Sequence, residues 1–302
     1  MKSKISKYRK PLLAVIFWGA SFIATKVALN ELGPLSIIFL RLLFAIILLS
    51  AYAVYTRQDF TINIKNHGRI FLLALIAVFH LWIQVTGLKY TSAANTGWII
   101  GLTPVFMALL GFSFFKEALS VPKIIGIFIS FAGLILLISK ADFHKIDFIT
   151  NKGDFMVLAS SFTWSIYSIV NKRIAVDYSP LLTTLFLFIM MALLISPFTI
   201  NQAAIAVVMH LSFNGWISIL FLGIFCSGIA YVFWAQALKE MESTRVGVFL
   251  YFEPFVTVFT AWILLKEEIT LLMILSGLII TAGVLLVNFN FKQWKRKFPK
   301  AM

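Results

Sequence analysis

Ten apolar runs follow one another along the chain, each near the roughly 20 residues that a helix needs to cross a bilayer. They fall at 11–32, 34–55, 69–88, 94–115, 121–139, 154–175, 180–200, 214–237, 245–265 and 270–290, with little more than a turn between most neighbours. Such a chain has no length left for a water-soluble core. Its 61% hydrophobic and 13% charged residues stand well away from the soluble norm of about 45–50% apolar and about 25% charged. The expectation is an all-α membrane protein of ten transmembrane helices with the lipid bilayer as its solvent.

A formal net charge of +14 raises the question of nucleic acid, and the placement of the cations answers it. Alternate loops and tails carry 19 Lys and Arg: five before Pro11, then Arg57, Lys65, Arg69, Lys116, Lys123, Lys172, Arg173, Lys239 and Arg245, and five after Phe291. The opposite set holds five: Lys89, Lys140, Lys145, Lys152 and Lys266. This asymmetry is the positive-inside pattern of a multi-pass protein of the plasma (inner) membrane with N- and C-termini in the cytoplasm. The charge reports orientation, and no nucleic-acid partner is expected. The basic start followed by an apolar run reads as a retained first helix, because the run is of membrane length and no cleavage site follows it. Cys226 is the lone cysteine, so neither an intrachain disulfide nor a thiolate metal cluster is expected.

One phrase is written twice. GLTPVFMALLGFSFFKEALS at 101–120 returns as YFEPFVTVFTAWILLKEEIT at 251–270, an offset of 150 that sets Pro104 on Pro254, Lys116-Glu117 on Lys266-Glu267 and Ser120 on Thr270. The same offset takes Gly97 to Gly247 and Ala132-Gly133 to Ala282-Gly283; near the start an offset of 146 takes Trp18 to Trp164, Lys26 to Lys172 and Pro34 to Pro180. Two five-helix units are predicted, 11–139 and 153–290, joined through a short polar stretch near 140–153. Five crossings leave the second unit to start from the other face, so the two are inverted. Inverted halves can pack in two nearly equivalent ways about one central site, the geometry of alternating access.

Polar residues at membrane depth mark that site. Glu253 lies about eight residues into its span, roughly 12 Å deep at 1.5 Å per residue, where an ionised carboxylate costs about 2.5–3.5 kcal/mol on insertion scales. It must be neutralised, wet or paired, Arg41 and His80 being the partners in reach. Pro254 removes a helical hydrogen bond and disfavours helical geometry at Glu253 itself; Pro104 does the same beside Thr103. Both are predicted helix breaks. Lys26 and Arg41 are buried cations, charge anchors if they face the interior, interface residues if they snorkel. His80 and Gln84 share a helix face at a spacing of four. Asn95 with Trp98, Trp18 with Thr25, Trp164 with Ser168, and Tyr231 with Trp234 repeat helical spacings. With Glu253 they form the predicted substrate-binding set. Gly126, Ser130 and Gly133, echoed by Ser276 and Gly283, form small-residue stripes suited to close helix approach or to a homodimer surface.

No GxxxxGK[ST] stretch and no HExxH occurs, and no second acid or base accompanies Glu253 beyond His80 and Thr103. No enzymatic activity, cofactor or metal is expected.

The duplicated pattern of proline, apolar run, Lys-Glu and small hydroxyl residue, together with FWGASFIATKVAL at 17–29 and the Gly33-Pro34 turn, resembles the EamA repeat of the drug/metabolite transporter superfamily. The resemblance implies a ten-helix inverted-repeat carrier, commonly an exporter of amino acids or related metabolites. Its central cavity would lie near Trp18, His80, Trp98, Trp164, Tyr231 and Glu253. The extra acid in Lys266-Glu267-Glu268 departs from the family pattern. The expected activity is export of a small zwitterionic or amphipathic metabolite; the alternatives are a flippase for a lipid-linked substrate and a membrane scaffold or sensor without transport.

Overall fold

The computed structural model of the protein describes residues 2–60, 64–115, 120–140, 142, 151–173, 178–200, 202–240 and 248–288. The first Lys-Glu pair at 116–117, Gly247, Arg245, most of the polar connection near 140–153 and the basic tail after Phe291 lie outside the described residues. So do the side chains of Lys2, Lys4, Lys7, Lys65, Lys172, Arg173 and Lys239.

Every regular element among the described residues is helical. They are α1 (Lys2–Ala28), α2 (Pro34–Tyr55), α3 (Ile64–Leu88), α4 (Ala93–Ile100), α5 (Thr103–Phe115), α6 (Val121–Ser139), α7 (Lys152–Arg173), α8 (Pro180–Thr199) and α9 (Gln202–Met209). One rod then joins α10 (Phe213–Leu220), a wide-turned π segment (Phe221–Ile229) and α11 (Ala230–Glu240). The last are a 3-10 stretch (Val248–Phe252), α12 (Glu253–Thr260), a second π segment (Ala261–Leu265) and α13 (Leu271–Asn288).

The starts follow from local chemistry. Pro34, Pro122 and Pro180 stand at the first or second position of α2, α6 and α8, where a missing N–H is no loss. Ser92, Ser179 and Ser212 cap α4, α8 and α10, each hydroxyl accepting from a backbone N–H of the first turn, which satisfies an otherwise orphaned donor. Arg57, Lys140 and Lys266 take left-handed conformations at φ 50°, 51° and 57°, the conformation in which helices commonly end.

Both prolines stand where the helical geometry changes. The span at 93–115 parts at Gly101-Leu102, and α5 restarts at Thr103 with Pro104 in its first turn; the Thr103 hydroxyl donates to the Ile100 carbonyl at 2.7 Å. The later span is 3-10 up to Phe252, and α12 begins on Glu253 with Pro254 next.

Among the described residues seven helices are long and apolar enough to cross a membrane, from Tyr8–Ala28 to Phe213–Ala237, and Phe249–Leu265 and Leu271–Val287 are shorter apolar helices. α7, 22 residues long, carries a hydroxyl-rich face in which Ser160, Ser161 and Ser165 are fully buried. α9 falls between two of the expected spans and adds a short helix that the apolar runs do not announce. Large apolar side chains such as Phe114, Phe128, Leu193 and Leu264 face outward, more than 60% exposed, as acyl chains require and water would not tolerate.

In lipid, close packing rather than hydrophobicity holds helices together. α6 lies along α13, α3 along α7, α1 along α11, α2 along α8 and α4 against α12. The small-residue stripes meet inside the chain: a Cβ on Gly126 would stand 2.6 Å from the Gly283 carbonyl oxygen, and Ser130 Oγ donates to the Gly126 carbonyl at 2.9 Å.

Candidate functional site

One cavity of about 70 Å³ lies among α1, α2, α3, the joint between α4 and α5, α7, α11, the 3-10 stretch and the start of α12. Trp18, Arg41, His80, Gln84, Pro104, Trp164, Tyr231 and Glu253, all singled out in the sequence, line it. Ser21, Phe22, Leu81, Ile100, Gly101, Thr103 and Leu250 complete its wall.

Its aromatic side is a connected stack. Trp18 meets Tyr231 edge-on at 5.5 Å between ring centroids and Trp164 at 6.3 Å. Trp164 in turn stacks on Tyr167 at 4.9 Å, with the His80 ring 5.0 Å away. Edge-to-face contacts of this kind favour one arrangement of the rings. Trp18 Nε1 donates to the Cys226 carbonyl at 3.0 Å, so this indole is fixed at its polar end too. His80 Nδ1 donates to the Ser160 carbonyl at 3.0 Å, which in the neutral ring leaves Nε2 as an acceptor.

Glu253 is 8% exposed and opens α12. Gly19 places it: α1 and α12 approach so closely there that a Cβ on Gly19 would stand 3.0 Å from the Glu253 carbonyl oxygen. Thr257 Oγ1 reaches both the Gly19 and Glu253 carbonyls, at 3.1 and 2.9 Å. Arg41, 5% exposed, donates through Nε to Ser227 Oγ at 2.9 Å. Among the described residues no cation stands within 4.0 Å of the Glu253 carboxylate, so neither Arg41 nor His80, the alternative partners in reach, forms an ion pair with it. A buried carboxyl and a buried guanidinium thus line one small cavity without pairing.

The remaining sequence candidates lie elsewhere. Thr25 is buried at 3% away from the cavity wall. Ser168 Oγ donates to the Trp164 carbonyl on its own helix at 2.8 Å. Trp234 backs Trp18 at 5.2 Å, and Trp98 lies across Gly277 and edge-on to Phe255 at 5.3 Å. Asn95 Nδ2 donates to Asp154 at 3.5 Å. Lys26 Nζ donates to the carbonyls of Leu88, at 2.8 Å, and Thr91, neutralising the end of α3. Pro254 packs on Gly101, where a Cβ would lie 3.1 Å from its Cγ.

Bridges close the bundle above and below the cavity. At the end that carries Glu31, its carboxylate accepts from Ser212 N at 2.8 Å and Ser212 Oγ at 2.6 Å. These two bonds hold the Glu31 carboxyl below its usual range. Glu267 accepts from the N–H groups of Ala93 and Ala94, and Asp154 from Thr91 Oγ1. At the other end Lys10 pairs with Glu240 at 2.9 Å, and Ser179 Oγ donates to Gln58 at 2.8 Å. Every one of these bridges joins a residue below 140 to one above 150. The first end is anchored on backbone donors at helix starts, where carboxylates are favoured; the Lys10–Glu240 pair is solvated and contributes about 0–1 kcal/mol.

A multi-pass helical bundle with irregular backbone around a buried polar cavity defines a membrane transporter. The chain belongs to the EamA-like transporter family, whose model matches residues 11–139 and again 151–289. An uncharacterized transporter of Archaeoglobus fulgidus is 32% identical over 91% of this chain and 95% of its own. A protein of Salmonella typhimurium described as a probable amino-acid metabolite efflux pump is 25% identical over 93% and 94%. A solved crystal structure superposes with a TM-score of 0.68 over 97% of this chain and 98% of its own, at 17% identity, and shows the shared fold.

Proposed function

We propose that the protein is a secondary-active or facilitative carrier that exports a small zwitterionic or amphipathic metabolite by alternating access. Its ten membrane-crossing rods form two inverted halves, 11–139 and 153–290, in the inner (plasma) membrane with both termini in the cytoplasm. The observation that carries this reading is the aromatic cavity that Arg41 and Glu253 both line without pairing to each other. A solute with an anionic and a cationic group would complete both.

The packing supports inversion. Helices related by it should exchange partners, and α3 lies on α7 as α11 lies on α1, while α2–α8, α4–α12 and α6–α13 pair with their own counterparts. The 19 against five cations support the orientation. The name of the Salmonella relative supports export of an amino-acid metabolite. The cavity of about 70 Å³ is far below the roughly 300–1,000 Å³ of a ligand pocket, so taking up a solute requires the helices around it to move apart, as alternating access supposes.

In this reading Glu253 binds the ammonium group of the solute or takes a coupling proton. Glu253→Gln in proteoliposomes should abolish transport or its pH dependence; unchanged flux at every pH would remove both roles. Translocation of labelled lipid headgroups without amino-acid efflux would replace the reading with a flippase.

A further inference from the structure

We propose that Ser227 is a positioning residue: through its bond to Arg41 it aims the guanidinium as the cavity's anion anchor and so sets the preference for solutes that carry a carboxylate. The proposal rests on the carrier reading above and specifies which group of the solute Arg41 takes.

Arginine presents five donors in a planar fork. Nε of Arg41 is taken by Ser227 Oγ at 2.9 Å, and among the described residues its terminal nitrogens have no hydrogen-bond partner while the residue lines the cavity. The Nη1–Nη2 edge of the fork, which can take a carboxylate with two parallel bonds, is therefore left open. Ser227 is 1% exposed, so its hydroxyl is a fixed post rather than a solvated group.

The wide turn at Phe221–Ile229 explains why a serine can reach this far. A π turn inserts a residue, which rotates the helix beyond it by about 100° relative to a continuous one. Gly223 lets α2 come in against it: a Cβ there would lie 3.0 Å from the Arg41 carbonyl oxygen. Four residues later Ser227 meets the Arg41 side chain, and the neighbouring Cys226 carbonyl holds Trp18 Nε1 at 3.0 Å. Adjacent residues of one segment thus fix the cation and the aromatic wall against each other, though these come from different helices.

The test uses the full chain in proteoliposomes with three matched probes: leucine, isoamylamine, which lacks the carboxylate, and 4-methylpentanoate, which lacks the amine. Ser227→Ala is expected to raise the KM for leucine and 4-methylpentanoate about tenfold, the loss of one well-aimed charge-assisted contact, with the KM for isoamylamine and the maximal flux of each probe within twofold. Ser227→Thr should restore the carboxylate probes. Equal effects on all three probes, or none on any, would overturn the proposal, since a merely structural serine does not discriminate among them. If Ser227→Ala does not fold, Arg41→Lys, which keeps charge but loses the Nε edge, must show the same selective loss, and failure to do so counts against the proposal.

Quenching of tryptophan fluorescence by the same probes in detergent separates the anchor from the carrier. Leucine binding that depends on Ser227, without flux in vesicles, keeps the anchor and removes the carrier. Flux of isoamylamine and leucine with equal KM keeps the carrier and removes the anchor. No response to any probe in either assay would also reject the anchor.

Discussion

Glu267 holds Ala93 by its backbone N–H, at 2.9 Å, across 174 residues of chain. Its second carboxylate oxygen takes Ala94 N at 3.0 Å, so the acid of the second Lys-Glu pair closes the first turn of α4. A carboxylate at a helix start contributes about 0.3–1 kcal/mol through the helix dipole, and here that contribution ties the two halves of the sequence together at one face. Glu267→Gln is expected to loosen this face and raise the labelling rate of a cysteine placed at Ser21, on a Cys226→Ala background, by about two- to fivefold. An unchanged rate would deny the bridge a gating role.

The Glu31–Ser212 bridge carries a pH dependence with a definite sign. Because the Ser212 hydroxyl and N–H lower the Glu31 carboxyl from its ordinary 4.5, the bridge contributes fully above that value and is lost as pH falls through the lowered one. From pH 7 to 5 the thermal midpoint of wild type and Glu31→Gln should keep a constant separation. Below the ordinary carboxylate value the two should converge, and a separation that widens in acid would reverse the assignment.

Gly126 leaves no room for a side chain against Gly283. Gly126→Val is expected to part α6 from α13 and destabilise the detergent-solubilised protein by about 1–3 kcal/mol, the usual range for overpacking. Thermal unfolding measures it, and wild-type stability would show that the helix contact yields elsewhere.

Trp164 and Ser168 share a helix and a sequence spacing, yet their roles divide. Trp164 lines the cavity and stacks on Tyr167, whereas the Ser168 hydroxyl bonds back to its own helix. Trp164→Ala should remove transport and cost about 3–5 kcal/mol of stability, while Ser168→Ala should leave both within about 0.5 kcal/mol equivalent. Proteoliposome flux of the pair, side by side, checks the division.

Depth and backbone chemistry were legible in the sequence. Proline after Glu253 and after Thr103 marks where helices restart, and burial of His80 and Glu253 follows from their distance to the span ends. Facing was legible only where the helix stays regular. His80 and Gln84 reach the cavity together because α3 is unbroken, whereas Thr25 and Ser168 share spacings with cavity residues and do not line it. Periodicity gives a face of a helix, not the neighbour across from it. Ser227 left no signal because the π segment changes the register on which such spacing depends, and nothing in the run FLGIFCSGI announces a wide turn. Nor does sequence distance reveal that Glu31 and Glu267 seat themselves on helix starts far along the chain.

The Thr103 hydroxyl on the Ile100 carbonyl has a mechanical meaning. Wherever a membrane helix is cut, a bare carbonyl facing hydrocarbon would penalise any swing about the cut by several kcal/mol. At this joint, where Pro104 has no N–H to offer, the Thr103 hydroxyl supplies the missing donor from within the same turn, so the interrupted ladder leaves the Ile100 carbonyl satisfied.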